Sequence, residues 1–346
     1  MCEHAFVRWD ELKVEEEERR ALPGYREPAA VRTFDAPEAL DTRFYEVRAK
    51  SALNRVPERS AMPFRWTVNP YRGCSHACVS CFARPTHKYL DLDAGRDFEK
   101  EIVVKVNAPE VLQAELARPS WKREHVAMGT NTDPYQWVEG RYKLMPGIWE
   151  ALRRSRTPGS ILTKSPLVLR DIELMKQVPG ISANLSVPTL DEKAWRATEP
   201  HTPHPRKRLE AVAELNRAGI PCGILIAPLM PGVNDDPRQV ERILELAAEA
   251  GAVEVGGIAL HLRGEVREIF FGWLEEHRPD LVDRYKRLYA RGAYAPREEK
   301  ERLAALARRP GLKSRRYIRV APGAAAGEGA SASPESPEPP EQASLF

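Results

Sequence analysis

Between about residues 60 and 290, short apolar runs alternate with longer amphipathic stretches. The runs with strand character are Arg65–Asn69, His125–Gly129, Ser160–Thr163, Ile181–Val187, Cys222–Ala227 and Val253–Leu260. Between and after them lie Ala108–Arg118, Lys143–Arg154, Leu167–Gln177, Pro205–Ala218, Pro237–Ala250 and Val266–His277. Each of these repeats apolar residues at i, i+3 and i+4, as in the stripe Val240, Ile243, Leu244, Ala247. Strands joined through helices pair in parallel, because the crossover returns each strand in the same direction. Six such units fall two short of a closed eight-unit barrel, so a partial (βα)6 barrel fits better than either that barrel or a doubly wound sheet. In either α/β arrangement the chemistry belongs at the carboxyl ends of the strands.

The flanks read differently. Residues 1–60 are polar, acid-rich around Glu15–Glu18 and short of strand signals, so they read as an extension with room for a short helix. The expected organisation is this extension, a barrel over 61–290, a helical and basic segment over 291–320, and a disordered tail over 321–346. The tail is Ala, Gly, Ser, Pro and Glu, too poor in apolar surface to offset the entropy of ordering it. With 42% apolar residues in 346, one large core is within reach, whereas a net charge of +3 is too small to name a partner. No run of 18 apolar residues exists, so no membrane span is expected. The opening stretch lacks an apolar core for a secretory signal, and the expected location is the cytoplasm.

Three of the five cysteines fall within eight residues, in Asn69-Pro70-Tyr71-Arg72-Gly73-Cys74-Ser75-His76-Ala77-Cys78-Val79-Ser80-Cys81-Phe82. Clustering of this kind in a reducing compartment points to metal ligation or catalysis, not to disulfides. Thiolates suit iron–sulfur clusters and zinc. Three cysteines on one loop can hold three irons of a cubane and leave the fourth open to a small molecule. The competing arrangement is a Cys3His zinc site with His76 or His87 as fourth ligand. Its weakness is position, since zinc knuckles sit in small modules and this loop follows the first strand of a large domain.

The C-x3-C-x2-C spacing, the aromatic Phe82 and the place after the first strand together resemble the signature of the radical S-adenosylmethionine (SAM) superfamily. The resemblance implies a [4Fe–4S] cluster on Cys74, Cys78 and Cys81, with SAM bound at the open iron through its amino and carboxylate groups. It also implies an electron donor such as flavodoxin or ferredoxin, and reductive cleavage of SAM to methionine and a 5′-deoxyadenosyl radical that takes hydrogen from a substrate. By the same resemblance, Thr132 and Asp133 receive the SAM amino group, Lys164 meets its carboxylate, and Ser186, with Asn184 in reserve, holds the ribose. The plainer reading of Asp133 is an Asx turn before Pro134. The small residues and prolines of Ala227–Asp235 would let backbone approach the adenine.

Within the superfamily, Asn69–Cys74, Asp97-Phe98, Ile102–Asn107, Thr132–Gln136, Glu199-Pro200, Arg206, Pro228–Asp235 and Leu260–Arg263 resemble the branch of spore photoproduct lyase and its actinobacterial photolyase-like relatives. That resemblance implies DNA as substrate, through repair or modification. One departure stands out. Where the lyase has a hydrogen-donating cysteine three residues before the aspartate, this chain has Thr130, and neither Cys222 nor Cys2 is an obvious substitute.

Two further features bear on DNA. The basic stretch Arg308–Arg319 can neutralise phosphates, although a solvated helix end would look the same. Tyr135 and Trp137 are candidates to stack on a base, with core packing the simpler role for the tryptophan. The final Gln342-Ala343-Ser344-Leu345-Phe346 resembles the bacterial sliding-clamp-binding motif, with Gln342, Ser344, Leu345 and Phe346 in place and Ala343 where leucine is usual. The alternatives to a DNA-directed radical enzyme are the same chemistry on a protein or small molecule, or a zinc-stabilised DNA-binding adaptor without catalysis.

Overall fold

A computed structural model describes residues 14–314 apart from 35, 37, 38, 40, 59 and 61. Cys2, Arg315–Arg319, the tail and its terminal motif therefore lie outside the described residues. The stretch expected to be an extension supplies β1 (Val14–Arg20), β2 (Ala29–Phe34), β3 (Arg43–Val47) and β4 (Leu53–Arg55). There follow β5 (Trp66–Val68), β6 (Tyr71–Arg72), β7 (Glu101–Lys105), β8 (Val126–Met128), β9 (Gly159–Thr163), β10 (Ser182–Ser186), β11 (Cys222–Leu229), β12 (Glu254–Ala259) and β13 (Lys313–Ser314).

These strands form two sheets. The larger runs β13-β12-β11-β10-β9-β8-β5-β4, and its six central strands are those expected, paired in parallel throughout. β4 adds antiparallel to β5 at one edge and β13 parallel to β12 at the other. Among the described residues no pairing joins the two edges, so the barrel is partial. Its helices bury their predicted faces. In Pro237–Glu249 the stripe Val240, Ile243, Leu244 and Ala247 is buried, and each of its larger members contributes roughly 1.5–3 kcal/mol by leaving water. Asp236 caps this helix, its side chain accepting from Gln239 N–H at 2.9 Å.

The smaller sheet, β1-β2-β3-β7-β6, had no counterpart in the sequence reading. Its strands were hidden by charges that are neutralised across the sheet. Arg32 pairs with Glu46 at 2.7 Å, and Arg43 with Glu101 at 2.6 Å. Once paired, such residues can alternate with Val31, Phe44 and Tyr45, which are buried. β7 runs parallel to β3 and antiparallel to β6, so this sheet ends on Tyr71-Arg72, two residues before Cys74. The expected helix Leu167–Gln177 is also broken, into a 3-10 turn at Pro166–Asp171 and one α-turn at Ile172–Met175. Here Arg170 turns aside to pair with Asp171 at 2.7 Å and with the buried Glu139 at 2.6 Å. Glu139 in turn accepts from Tyr71 OH at 2.5 Å and from the backbone N–H groups of Leu144 and Met145, where the next helix begins.

The end of β8 is set by Gly129. Its φ is +75°, and a Cβ there would stand 1.7 Å from the Leu162 carbonyl oxygen of the adjacent strand segment. Gly129→Ala should therefore lower stability by about 3 kcal/mol or more, as measured by urea unfolding of the full chain. A loss near zero would show that β8 and β9 are not held at this spacing.

Candidate active site at the strand carboxyl ends

The cysteine loop leaves β5 through β6 and is pinned on three sides. Cys74 N–H donates to Phe98 O at 2.9 Å. Gly73, at φ +78°, brings the backbone so close that a Cβ would lie 2.9 Å from both Phe98 O and Ile102 Cδ1. From below, the guanidinium of Arg84, 1% exposed, donates to Cys78 O at 3.0 Å and Ala77 O at 3.3 Å. It also reaches Ala94 O and Gly95 O, pairs with Glu99, and lies over the Phe98 ring. From the side comes Gln136, fully buried. Its Oε1 accepts from Ser75 N–H at 2.9 Å and its Nε2 donates to Gly73 O at 3.2 Å. One amide thus ties the cysteine loop to the loop after β8. Thr132 adds a second tie, its hydroxyl donating to Tyr71 O at 3.0 Å.

The three thiols on this loop suit a metal–sulfur group. Burial pushes the Cys74 thiol up to about 12, with Asp133 adding to the shift. Burial likewise raises Cys78, aided by Glu199, and raises Cys81. Bare thiolates are disfavoured in such a pocket, whereas thiolates bound to cationic iron share their charge and are not. Among the described residues no three His, Cys, Asp or Glu side chains are gathered around one ion. Sulfurs that bind separate corners of a cubane stand apart. The two expected zinc histidines lie buried beside the loop, each with an Nδ1 that has no hydrogen-bond partner among the described residues. His87 Nε2 is within 2.9 Å of Glu101 O, and its ring packs edge-on to Phe98. His76 is buried, pushed down to about 4 by that burial, with Nδ1 3.4 Å from Asp133 Oδ2.

The other expected residues converge beside the loop as one charge network. Asp133 is the Asx turn of the plainer reading. Its Oδ1 accepts from Tyr135 N–H at 2.9 Å and Thr163 Oγ1 at 2.7 Å, and its Oδ2 accepts from Lys164 N–H at 2.7 Å. Both carboxylate oxygens therefore join the ends of β8 and β9. Lys164 Nζ donates to Ser186 Oγ at 2.7 Å and pairs with Glu199 Oε1 at 2.6 Å. The other oxygen of Glu199 lies 2.8 Å from Nη1 of the buried Arg208. Burial alone would raise the Glu199 carboxyl, but Lys164 and Arg208 hold it down at about 2. Asn184 lies one layer deeper, donating to Glu254 Oε1 at 3.2 Å across β11.

Several buried polar atoms here have no hydrogen-bond partner among the described residues: Asn69 Oδ1, Ser75 Oγ, Asn131 Oδ1, Asn184 Oδ1 and His261 Nδ1. They sit in the cysteine loop or on barrel strands and the loops at their carboxyl ends. Unsatisfied polar atoms grouped this way mark where a polar ligand docks.

Sequence reasoning did not assign roles to Arg84, Gln136, Glu199 and Arg208, because their tasks depend on which loops meet. Gln136 and Glu199 fell inside stretches that resemble the lyase branch, whereas Arg84 and Arg208 carried no local signal. One expectation is corrected. Tyr135 cannot stack on a base, since it is fully buried, with its OH donating to Asp171 and accepting from Trp149 Nε1. Trp137 takes the simpler role expected of it, partly buried against the core that holds Phe34, Phe44 and Tyr71, with its Nε1 donating to His201 O at 2.8 Å. Thr130 is half-buried at the end of β8, whereas Cys222 opens β11 at the far end of the barrel.

Removing either clamp should loosen the cysteine loop. Arg84→Gln strips the loop carbonyls it serves of their donor and should cost about 3 kcal/mol of stability. Gln136→Leu, which keeps the bulk, should leave more of the fold intact. Both should bind less iron per protein after anaerobic reconstitution than the parent, read by iron analysis of the folded fraction. Full iron occupancy in Gln136→Leu would show that the amide does not organise the loop.

A family model described as the radical SAM superfamily matches residues 68–247. The chain is 49% identical over 287 residues to an uncharacterized protein of Mycobacterium tuberculosis, spanning 82% of this chain and 84% of that one. It is 29% identical over 194 residues to an uncharacterized protein of Methanocaldococcus jannaschii, spanning 55% and 69%. Among solved structures, its fold is similar to that of spore photoproduct lyase complexed with dinucleoside spore photoproduct, with a TM-score of 0.61 and 14% identity over 86% of this chain and 87% of that chain. A variant of that lyase with bound AdoMet and dinucleoside spore photoproduct gives the same TM-score at 16% identity. The family uses a [4Fe–4S] cluster and SAM, and the match supports an enzyme. On the strength of the family match, over just the region that carries the cysteine loop and the strand-end network, the chain belongs to the radical SAM superfamily.

Proposed function

We propose that this chain is a cytoplasmic radical SAM enzyme acting on DNA, in repair or modification of the photoproduct-lyase kind. The observation that carries the DNA reading is the reach of the fold similarity. It covers 86% of the chain, well beyond the matched barrel segment, in a protein whose structures hold a dinucleoside photoproduct. Among the described residues no helix is long and apolar enough to cross a membrane.

In this reading Cys74, Cys78 and Cys81 hold the cluster, whose chemistry when bound is the reductive cleavage of SAM. The chain's own residues position and shield. Lys164 and Glu199, 2.6 Å apart, present a cation and an anion side by side, which complements the carboxylate and ammonium of an amino acid. Ser186, hydrogen-bonded to Lys164, would meet the ribose. Asp133 and Thr132 hold the strand ends that carry these groups. With Thr130 in place of a thiol and Cys222 at the opposite end, hydrogen return from a protein cysteine near β8 has no support. A flavodoxin- or ferredoxin-type reductant would supply the electron, and the terminal Gln342–Phe346 motif would tether the enzyme to a sliding clamp.

Two measurements test this reading. Glu199→Gln and Lys164→Ala each remove a charge-assisted contact and should weaken SAM binding by about ten- to a hundred-fold, measured by calorimetry on reconstituted protein. Unchanged affinity in both would move the SAM contacts elsewhere. For the substrate, 5′-deoxyadenosine formation with reductant and SAM should rise with UV-irradiated over intact DNA and vanish in Cys78→Ala. Turnover indifferent to DNA would redirect the enzyme to a protein or small molecule.

A further inference from the structure

Among the described residues the large apolar side chains left substantially exposed are Met62, Phe82, Tyr89, Val253 and Tyr294. The three aromatic ones, each about half exposed (53%, 51% and 54%), lie on segments that meet at one rim of the barrel mouth. Phe82 directly follows Cys81. Across from it stands His261, just past the end of β12, with ring centroids 6.1 Å apart. The Tyr294 ring lies 5.7 Å from that of His261, and the two residues form an antiparallel bridge. Leu262 N–H donates to Ala293 O at 2.7 Å, so the two loops are stitched together. Tyr89 joins the same rim through its 3-10 helix Arg84–Leu90, where Lys88 pairs with Glu265 and Pro85 lies against Gly264.

The aromatic surface is therefore built, with hydrogen bonds and an ion pair holding its backbone, and not a set of stray side chains. Its centre carries a polar handle. His261 Nδ1 is buried with no hydrogen-bond partner among the described residues. Burial, reinforced by nearby Arg263, lowers the affinity of the ring for a proton, so a neutral imidazole neighbours both exposed rings. Arg263 itself is exposed, as is Arg291 on the Tyr294 loop. Exposed aromatic rings, tilted 50° and 44° to the neighbouring imidazole, and flanking cations match the faces and phosphates of an unstacked nucleotide.

We infer that Phe82, His261 and Tyr294 form a stacking ledge for a nucleobase turned out of its strand, with Arg263 beside a flanking phosphate. This inference rests on the DNA reading and deepens it by naming the element that receives the substrate. Because Phe82 is bonded to Cys81, a base on the ledge sits beside the cysteine loop. Enzymes that do chemistry on a base must take it out of the stack, and the exposed rings offer a replacement for its lost neighbours.

The test compares two single strands of about twelve units, oligothymidine and an abasic strand carrying the same phosphates, binding to the reconstituted full chain by fluorescence anisotropy. The ledge predicts that oligothymidine binds about ten-fold tighter or more. Tyr294→Ala, at an exposed position that should not unsettle the fold, should erase most of that preference, as should Phe82→Ala. Tyr294→Phe, which keeps the ring, should retain it. If both strands bind equally well, with affinity falling as salt rises, the DNA reading stands and the ledge is wrong. A preference that survives both alanine variants also overturns the ledge. If neither strand binds, the ledge and the DNA reading fall together.

Discussion

The side chain of Gln136 bridges two loops whose meeting creates the site. One of its atoms takes the Ser75 N–H and the other gives to the Gly73 carbonyl, so the amide completes the backbone of the cysteine loop as a neighbouring strand would. It is fully buried, where each unmade hydrogen bond would carry a desolvation cost of about 1–3 kcal/mol. Arg84 does the same for the carbonyls of Ala77 and Cys78 from the opposite side. Between them the two side chains hold a loop with little regular secondary structure against the ends of the barrel strands. Thiols on a free loop would close on whatever metal arrived, and a held loop can present them in one arrangement.

The charge network beside the loop follows a similar logic. Asp133 spends both oxygens on the ends of β8 and β9, fixing the spacing at which Lys164 emerges. Lys164 and Arg208 then hold Glu199 ionised despite its burial. The result is a cation and an anion paired side by side next to the cysteine loop. The smaller sheet supports this from the other side, because β6 leads into the cysteine loop and Glu139 links Tyr71 to Arg170 and to the start of the helix Leu144–Ser155.

The barrel was legible because its signals are local. Periodicity marked all six parallel strands and most of the helices between them, and the cysteine spacing lay on one loop. The smaller sheet was not legible, since Arg32, Arg43 and Glu46 look like solvent-facing residues until Glu101, far along the chain, supplies one of their counter-charges. The strand-end residues were found with their surroundings unread. Asp133, Lys164 and Ser186 do meet, but Glu199 and Arg208, contributed by later segments, complete the network. Tyr135 failed as a stacking candidate because nothing in its neighbourhood announces that Asp171 and Trp149 enclose it. The aromatic rim was invisible for the same reason, as Phe82 and Tyr294 lie more than two hundred residues apart.

The central claim is that the Cys74, Cys78 and Cys81 loop leaves one metal position open beside Lys164 and Glu199, where SAM binds. It is tested most directly by the electron paramagnetic resonance spectrum of the reduced, reconstituted protein, recorded before and after SAM is added. A SAM-dependent change in the spectrum is the result predicted here, because a ligand at the open iron alters that iron's electronic surroundings. A reduced iron–sulfur signal that SAM leaves unchanged would contradict the account.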